Sequence, residues 1–346
     1  MNVIVFYLLL AILIISSVQY SSRVFFTDYL SLDTTNGIKG IFIILVFIKH
    51  ATPYVINAGW QPEGIMGDFF YFVNNNVGQW IVAMFLFYSG YGIMESIKRK
   101  GKDYVRQIPR KRFLSVLINF DIAVVIFIVV DLLLKKTLTV KQCLLSFTGW
   151  ESVGNSNWYI FIILLMYLTT YLAFYKNESD EFRKPLLVSI GLTFVFCLGM
   201  SYLKAEYWYN TMFCYTAGLV FSGYKDKIEE FVKSRYWLIL IVSLIVLLII
   251  DRIPYSAKGL IYNAFAVVFC ACVVLGTMKF KINSHILLWC GKNLFPLYIY
   301  QRVPMIILSS VNEGAFAAGY PFLFIVSCLI ITVLITLGYK YIAVKL

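Results

Sequence analysis

Apolar runs of membrane-spanning length recur along the chain, separated by short polar stretches that hold most of its lysines and arginines. A bilayer's hydrocarbon core is about 30 Å thick and takes about 20 apolar residues of α-helix to cross. Runs near that length lie at roughly 2–19, 38–56, 79–97, 114–134, 158–175, 185–203, 207–223, 237–251, 259–278, 286–309 and 320–341. Only helices or closed barrels satisfy their backbone polar groups in lipid, and runs this long are helical in period and length. The pattern predicts an all-α, polytopic transmembrane helical bundle of about ten to eleven spans, with residues 1–346 forming a single integral membrane domain. The seventh run is short and rich in Tyr, and the tenth is interrupted by Gly291 and Pro296. No basic residues precede the first run, which is expected to be retained as a span rather than removed as a leader.

Composition agrees: 60% of the residues are hydrophobic and 14% charged, with a mean hydropathy of +0.79, which excludes a soluble domain. The formal charge of +12 does not predict nucleic-acid binding, because the basic residues cluster between spans, where they set orientation. Residues 98–112 carry Lys98, Arg99, Lys100, Lys102, Arg106, Arg110, Lys111 and Arg112 against Asp103 alone. That segment is expected to be a cytoplasmic loop. Residues 51–78 hold no Lys or Arg and are expected outside. Alternation then puts 176–184, 224–236 and 279–285 in the cytoplasm and 310–321 outside, with the N-terminus out and the C-terminus in. The 132–157 loop falls outside although it carries Lys135, Lys136 and Lys141. The seven cysteines are scattered without a zinc or CxxC pattern and read as small apolar fillers; no metal is expected. Glu95, Asp131 and Asp251 lie at span ends, where charges reach water.

Chemistry concentrates on the second run, which opens on Thr35-Asn36-Gly37-Ile38-Lys39-Gly40 and closes on Lys49-His50. Lys39 and His50 are eleven residues apart, close to three helical turns and roughly 16 Å along the axis. A cation at the inner surface therefore shares a helix face with an imidazole deep in the membrane, and ionisable groups at that depth default to function. Lys49 points about 100° away from His50 and reads as structural. An anionic donor docked on Lys39 and on Arg106, Arg110 or Arg112 would reach His50 with its far end, and a neutral histidine is suited to deprotonating a hydroxyl. Tyr298, Tyr300, Gln301 and Arg302 form a second cluster: an arginine inside a span needs a partner or a polar cavity, and Gln301 and Arg302 could orient a carbonyl or an acceptor hydroxyl. Asn157, Trp158 and Tyr159 sit at the outer mouth of the fifth span, where aromatic rings form an interfacial belt or stack on sugars. Ser89-Gly90-Tyr91-Gly92 reads as a close helix approach in preference to a nucleophile. His285, in a short cytoplasmic segment, is expected to be inert.

The same residues resemble acyltransferase family 3, the integral membrane acyltransferases of bacteria, over most of the chain. The resemblance rests on TNGIKGIFIILVFIKH in the second span, FLFYSGYGIM at 85–94, the basic segment after it, NWYIFIILLMY at 157–167 and GKNLFPLYIYQ at 291–301. Family members show an arginine or lysine, ten intervening residues and a histidine, a spacing that Lys39 and His50 fit. The resemblance implies transfer of an acyl group, often acetyl, from cytoplasmic acyl-CoA to a surface or lipid-linked glycan. His50 would be the catalytic base and Lys39 the cation on the donor side. Acyl-CoA is then a co-substrate, with no bound cofactor; the other partners are the glycan acceptor and membrane lipids, and the place is the bacterial cytoplasmic membrane. The chain departs from the family pattern at Lys39, where arginine is usual, in a degenerate Arg-x-x-Arg element (Arg106, Arg110, Arg112), and at Gln301, where many members carry histidine. A transporter or flippase of lipid-linked glycans is the alternative of another class, and the two halves show no internal repeat that would support it.

Overall fold

The computed structural model describes residues 4–61, 64–177, 181–251 and 259–345. Residues 62–63 and 178–180 of the expected loops, and the side chain of Asp251, lie outside the described parts. Each of the eleven apolar runs contains helix. In chain order the helices are α1 (Val5–Ser17), α2 (Leu32–Asn57), α3 (Gly64–Ile108), α4 (Ser115–Leu133), α5 (Val140–Ser146), α6 (Trp158–Phe174), α7 (Arg183–Leu203), α8 (Met212–Gly223), α9 (Lys225–Ser234), α10 (Tyr236–Asp251), α11 (Tyr262–Lys279), α12 (His285–Lys292), α13 (Leu294–Tyr300), α14 (Arg302–Ser309), α15 (Ala315–Gly319) and α16 (Pro321–Ile342). Five described helical stretches are long and apolar enough to cross a bilayer, and six if the pair Lys225–Ser234 and Tyr236–Ile249, bent by 94°, is one span. This is fewer than ten to eleven for three reasons. The stretch Gly78–Leu133 contains two of the expected spans, Val5–Ser17 and Trp158–Phe174 are short, and Leu294–Ser309 is broken at Gln301. The end of the first run is not helical: Val18–Tyr20 (β1) pairs antiparallel with Phe280–Ile282 (β2), Val18 opposite Ile282.

The basic segment 98–112 is helix rather than loop. Lys and Arg are good helix formers, so α3 continues through it and turns at Gly101, whose φ of 58° and ψ of −145° suit only glycine. A π-helical turn, Pro109–Leu114, then leads into α4.

Side-chain contacts sort the connections into two ends. At one end, Lys281 pairs with Asp28, Tyr29 Oη donates to Glu229 at 2.7 Å, Lys98 Nζ donates to the Ser222 carbonyl at 3.1 Å, and Asn119 exchanges hydrogen bonds with the backbone of Val344. These are the segments that alternation assigns to the cytoplasm. At the other end, Lys204 Nζ donates to the Trp150 carbonyl at 2.8 Å and lies 4.1 Å and 4.7 Å from the ring centres of Trp150 and Trp208. Asp131, buried at the end of α4, pairs with Lys136 at 2.7 Å, which gives one lysine of the 132–157 loop a structural task. Lys204→Met is expected to cost about 2 kcal/mol, a desolvated cation–π site plus a hydrogen bond, read as a lower thermal midpoint in detergent.

Two glycine-mediated crossings hold the centre. A Cβ on Gly90 of α3 would stand 2.0 Å from the Tyr215 carbonyl oxygen, and one on Gly218 of α8 would stand 2.1 Å from that of Phe87. Likewise a Cβ on Gly40 of α2 would meet the Leu287 oxygen, and one on Gly291 of α12 the Asn36 oxygen, each at 1.9 Å. Backbone lies on backbone at both crossings, as small residues allow in membrane helices.

Candidate active site

Lys39 and His50 both belong to α2, a continuous helix that Ser31 caps by accepting from the Thr34 amide at 3.2 Å. His50 is 18 residues into it, about 27 Å from its start. Pro53 follows within the same helix, and Lys49 lays its stem over Gly78 of α3, with Cε 3.3 Å from where a glycine Cβ would stand.

Lys39 lines a cavity of about 580 Å³ at the end where the expected cytoplasmic segments gather. Arg99, Arg112, Glu95, Ser89 and Tyr167 line it too. Lys39 Nζ stands 5.6 Å from the centre of the Tyr88 ring. The Arg112 Nε donates to the Tyr104 hydroxyl at 2.9 Å. The cavity's acid is engaged elsewhere: Glu95 takes a hydrogen bond from Lys98 at 2.9 Å and one from Ser222 Oγ at 2.7 Å. Three basic side chains and one carboxylate already paired with Lys98 line this cavity. The other two expected donor residues, Arg106 and Arg110, do not line it, and Arg106 pairs with Asp103 at 3.9 Å. Arg99, which sequence reasoning did not single out, takes their place. Its signal lay in the period of α3: Ser89, Gly92, Ser96 and Arg99 follow one another at three- and four-residue steps along one face, and all four line this cavity.

A second cavity, about 280 Å³, shares Ser89 and Tyr167 with the first. It reaches Tyr159 and Tyr298. The Tyr298 ring centre lies 6.2 Å from that of His50 and 5.3 Å from that of Tyr159. Residues thus run without a gap from the cations, past Ser89 and Tyr167, to the ring beside the imidazole; His50 itself lines neither cavity. Tyr159 is a buried member of this series and not a belt residue. Asn157, beside it, is buried and donates to the Gly149 carbonyl at 2.8 Å, so it ties down a loop, while Trp158 packs edge-on to Tyr207.

His50 Nδ1 and, on the α13–α14 segment that carries Tyr298, Tyr300 Oη, Gln301 Oε1 and Arg302 Nε are buried with no hydrogen-bond partner among the described residues. Gln301 sits at the break between α13 and α14, its Nε2 donating to the Tyr298 carbonyl at 3.0 Å. The charges of Arg302 and Lys49 act on the His50 ring. The Tyr300 ring turns to Tyr339, 6.0 Å between centres.

A family model described as "Acyltransferase domain" matches residues 29–339, nearly the whole chain and all the residues above. No curated protein and no solved structure matches it.

Proposed function

The chain belongs to this acyltransferase family, and from that premise we propose that it moves an acyl group from cytoplasmic acyl-CoA to a hydroxyl of a surface or lipid-linked glycan, with His50 as general base. The observation that carries this reading is the continuity of the cationic cavity at Lys39 with the aromatic series that ends on His50. The donor's phosphates lie against Lys39, Arg99 and Arg112, which supply charge-assisted hydrogen bonds. Its thiol arm passes Ser89 and Tyr167 and brings the thioester to the imidazole. The acceptor hydroxyl gives its proton to His50 as its oxygen attacks the thioester carbonyl. The new C–O ester bond forms, the C–S bond breaks, and His50 returns the proton to the departing thiolate as free CoA thiol. Gln301 and Arg302 orient the carbonyl or the acceptor hydroxyl.

Purified protein incubated with radiolabelled acetyl-CoA and a membrane glycan extract is expected to release CoA thiol and label the glycan fraction. Lys39→Gln and Arg112→Gln should each raise the KM for acetyl-CoA about tenfold, the loss of one charged hydrogen bond. Arg106→Gln and Arg110→Gln should leave it within about twofold, since neither lines the cavity. Equal effects from all four would remove the cavity as the donor site.

A further inference from the structure

A third cavity, of about 230 Å³, shares no residue with the other two. Phe87 of α3 borders it, two residues and so about 200° round the helix from Ser89. The rest of its wall comes from α8, α9, α10 and α11, and every lining residue is apolar. Ile228 and Val232 of α9 close one end, and Ile239 of α10 with Met278 and Val274 of α11 continue from there. Ala271, an exposed lining residue about two turns from Met278, opens the cavity sideways to the bilayer.

The helix over the closed end is built for a membrane surface. A bend of 94° separates α9 from α10, so with α10 across the bilayer α9 lies along its plane. Ile228, Phe231 and Val232 have the spacing of one apolar face. Two of them turn into the cavity, while Phe231 is exposed with the Arg235 guanidinium 4.8 Å from its ring centre. Trp237, exposed on the first turn of α10, stands where aromatic rings mark the interface. Charge follows the same layout. Glu229 is held by Lys225, Lys233 and Tyr29. Asp226 and Glu230 fall on the face of α9 turned away from Ile228 and Val232. Lys227, one turn before Phe231, and Arg235 are exposed, and among the described residues neither is in an ion pair.

We infer that this cavity holds an acyl chain of a membrane phospholipid whose phosphate lies against Arg235. An apolar cavity of about 150 Å³ stays dry and takes a guest the size of benzene. This one is larger and offers water no polar partner. Left empty, its walls would forgo dispersion contacts, and the bilayer supplies hydrocarbon at Ala271. Ile239 follows Arg235 by four residues and so lies under it on one side of α10. A chain that descends from a phosphate at Arg235 therefore passes Ile239 on its way to Val274.

The test uses the full chain in nanodiscs that contain a phosphatidylglycerol with a diazirine at the middle of one acyl chain. Photolysis of the unmodified protein is expected to label Val274, Leu275 or Met278, which are buried, besides the outward-facing Leu244 and Leu248 of α10. Ala271→Trp, which plugs the opening at an exposed position, should all but abolish the cavity label and spare that on Leu248. Arg235→Gln should cut the cavity label about fivefold, the worth of one basic residue at a lipid surface. The diacylglycerol with the same diazirine, which has the chain but no phosphate, should label the cavity about fivefold less than the phospholipid for the same reason. Label on Leu244 and Leu248 with none on the three buried residues overturns the inference. So does a cavity label that survives either substitution at unchanged thermal midpoint, and so does equal labelling by the diacylglycerol.

Discussion

Replacing His50 with alanine is expected to abolish acyl transfer, by a factor of about 10²–10⁴, the range a positioned general base supplies. The imidazole Nδ1 has no hydrogen-bond partner among the described residues, and the ring lies tilted by 54° against that of Tyr298, 6.2 Å between centres. Folding should therefore survive, with a thermal midpoint close to that of the parent. Donor binding should survive as well, because Lys39 lies about three turns of α2 away and His50 does not line the cavity that holds Lys39, Arg99 and Arg112. The diagnostic pattern is a collapse of kcat with the acetyl-CoA affinity within about twofold. His50→Gln keeps a polar group but cannot carry the proton at neutral pH, and should be nearly as inactive as alanine. Transfer at the parental rate in either variant would mean that another group takes the acceptor's proton. A matching loss of donor affinity would mean that His50 holds the bundle together instead.

The apolar pattern made most of this architecture legible, because a membrane helix announces itself in every residue it contains. The Lys39–His50 register was equally plain, since both groups sit on one unbroken helix and the period alone sets their faces. What failed to show was anything decided by a bend. Eight basic residues in 98–112 look like a loop when counted, but the stretch is helix that turns at Gly101 and passes into a π-helical turn at Pro109. Arg99 and Arg112 line the cavity at Lys39; Arg106 and Arg110 do not. Tyr159 was hidden in a similar way. Beside Trp158 it looks interfacial, yet the loop before α6 is anchored by Asn157 on the Gly149 carbonyl, and the ring is buried against Tyr298 and Phe85. Gly90 was legible as a close approach, whereas its partner carbonyl, Tyr215, is more than a hundred residues along the chain and outside any local pattern.

The largest effect on stability is expected from adding a single methyl group at the glycine crossings. Gly90→Ala puts a carbon 2.0 Å from the Tyr215 oxygen and Gly218→Ala puts one 2.1 Å from the Phe87 oxygen. The obstacle in each case is backbone, so no rotamer change relieves it and α3 must move off α8. Overpacking of this kind costs about 3 kcal/mol or more, enough to leave little folded protein in a chain of ordinary marginal stability. Gly40→Ala and Gly291→Ala act alike at the α2–α12 crossing, at 1.9 Å each. Since both press on one interface, the double variant should cost clearly less than the sum of the two. Controls are at hand on other faces: a Cβ at Gly199 or Gly276 meets nothing within 4 Å, so alanine there should be neutral or mildly stabilising through helix propensity. The comparison is made by fluorescence-detected size exclusion after a heating series, with all six variants expressed alike. Were Gly90→Ala and Gly40→Ala as heat-stable as Gly199→Ala, the helices would not be in backbone contact. The second crossing also bears on chemistry, because α12 leads directly into α13 and α14. Any variant at Gly40 or Gly291 that still folds must shift α2 against the segment carrying Tyr298, Gln301 and Arg302, and should lose kcat out of proportion to its loss of heat stability. Lesser damage to kcat from survivors at Gly90 or Gly218, which join α3 to α8, would show that the α2–α12 contact is what sets the imidazole against its neighbours.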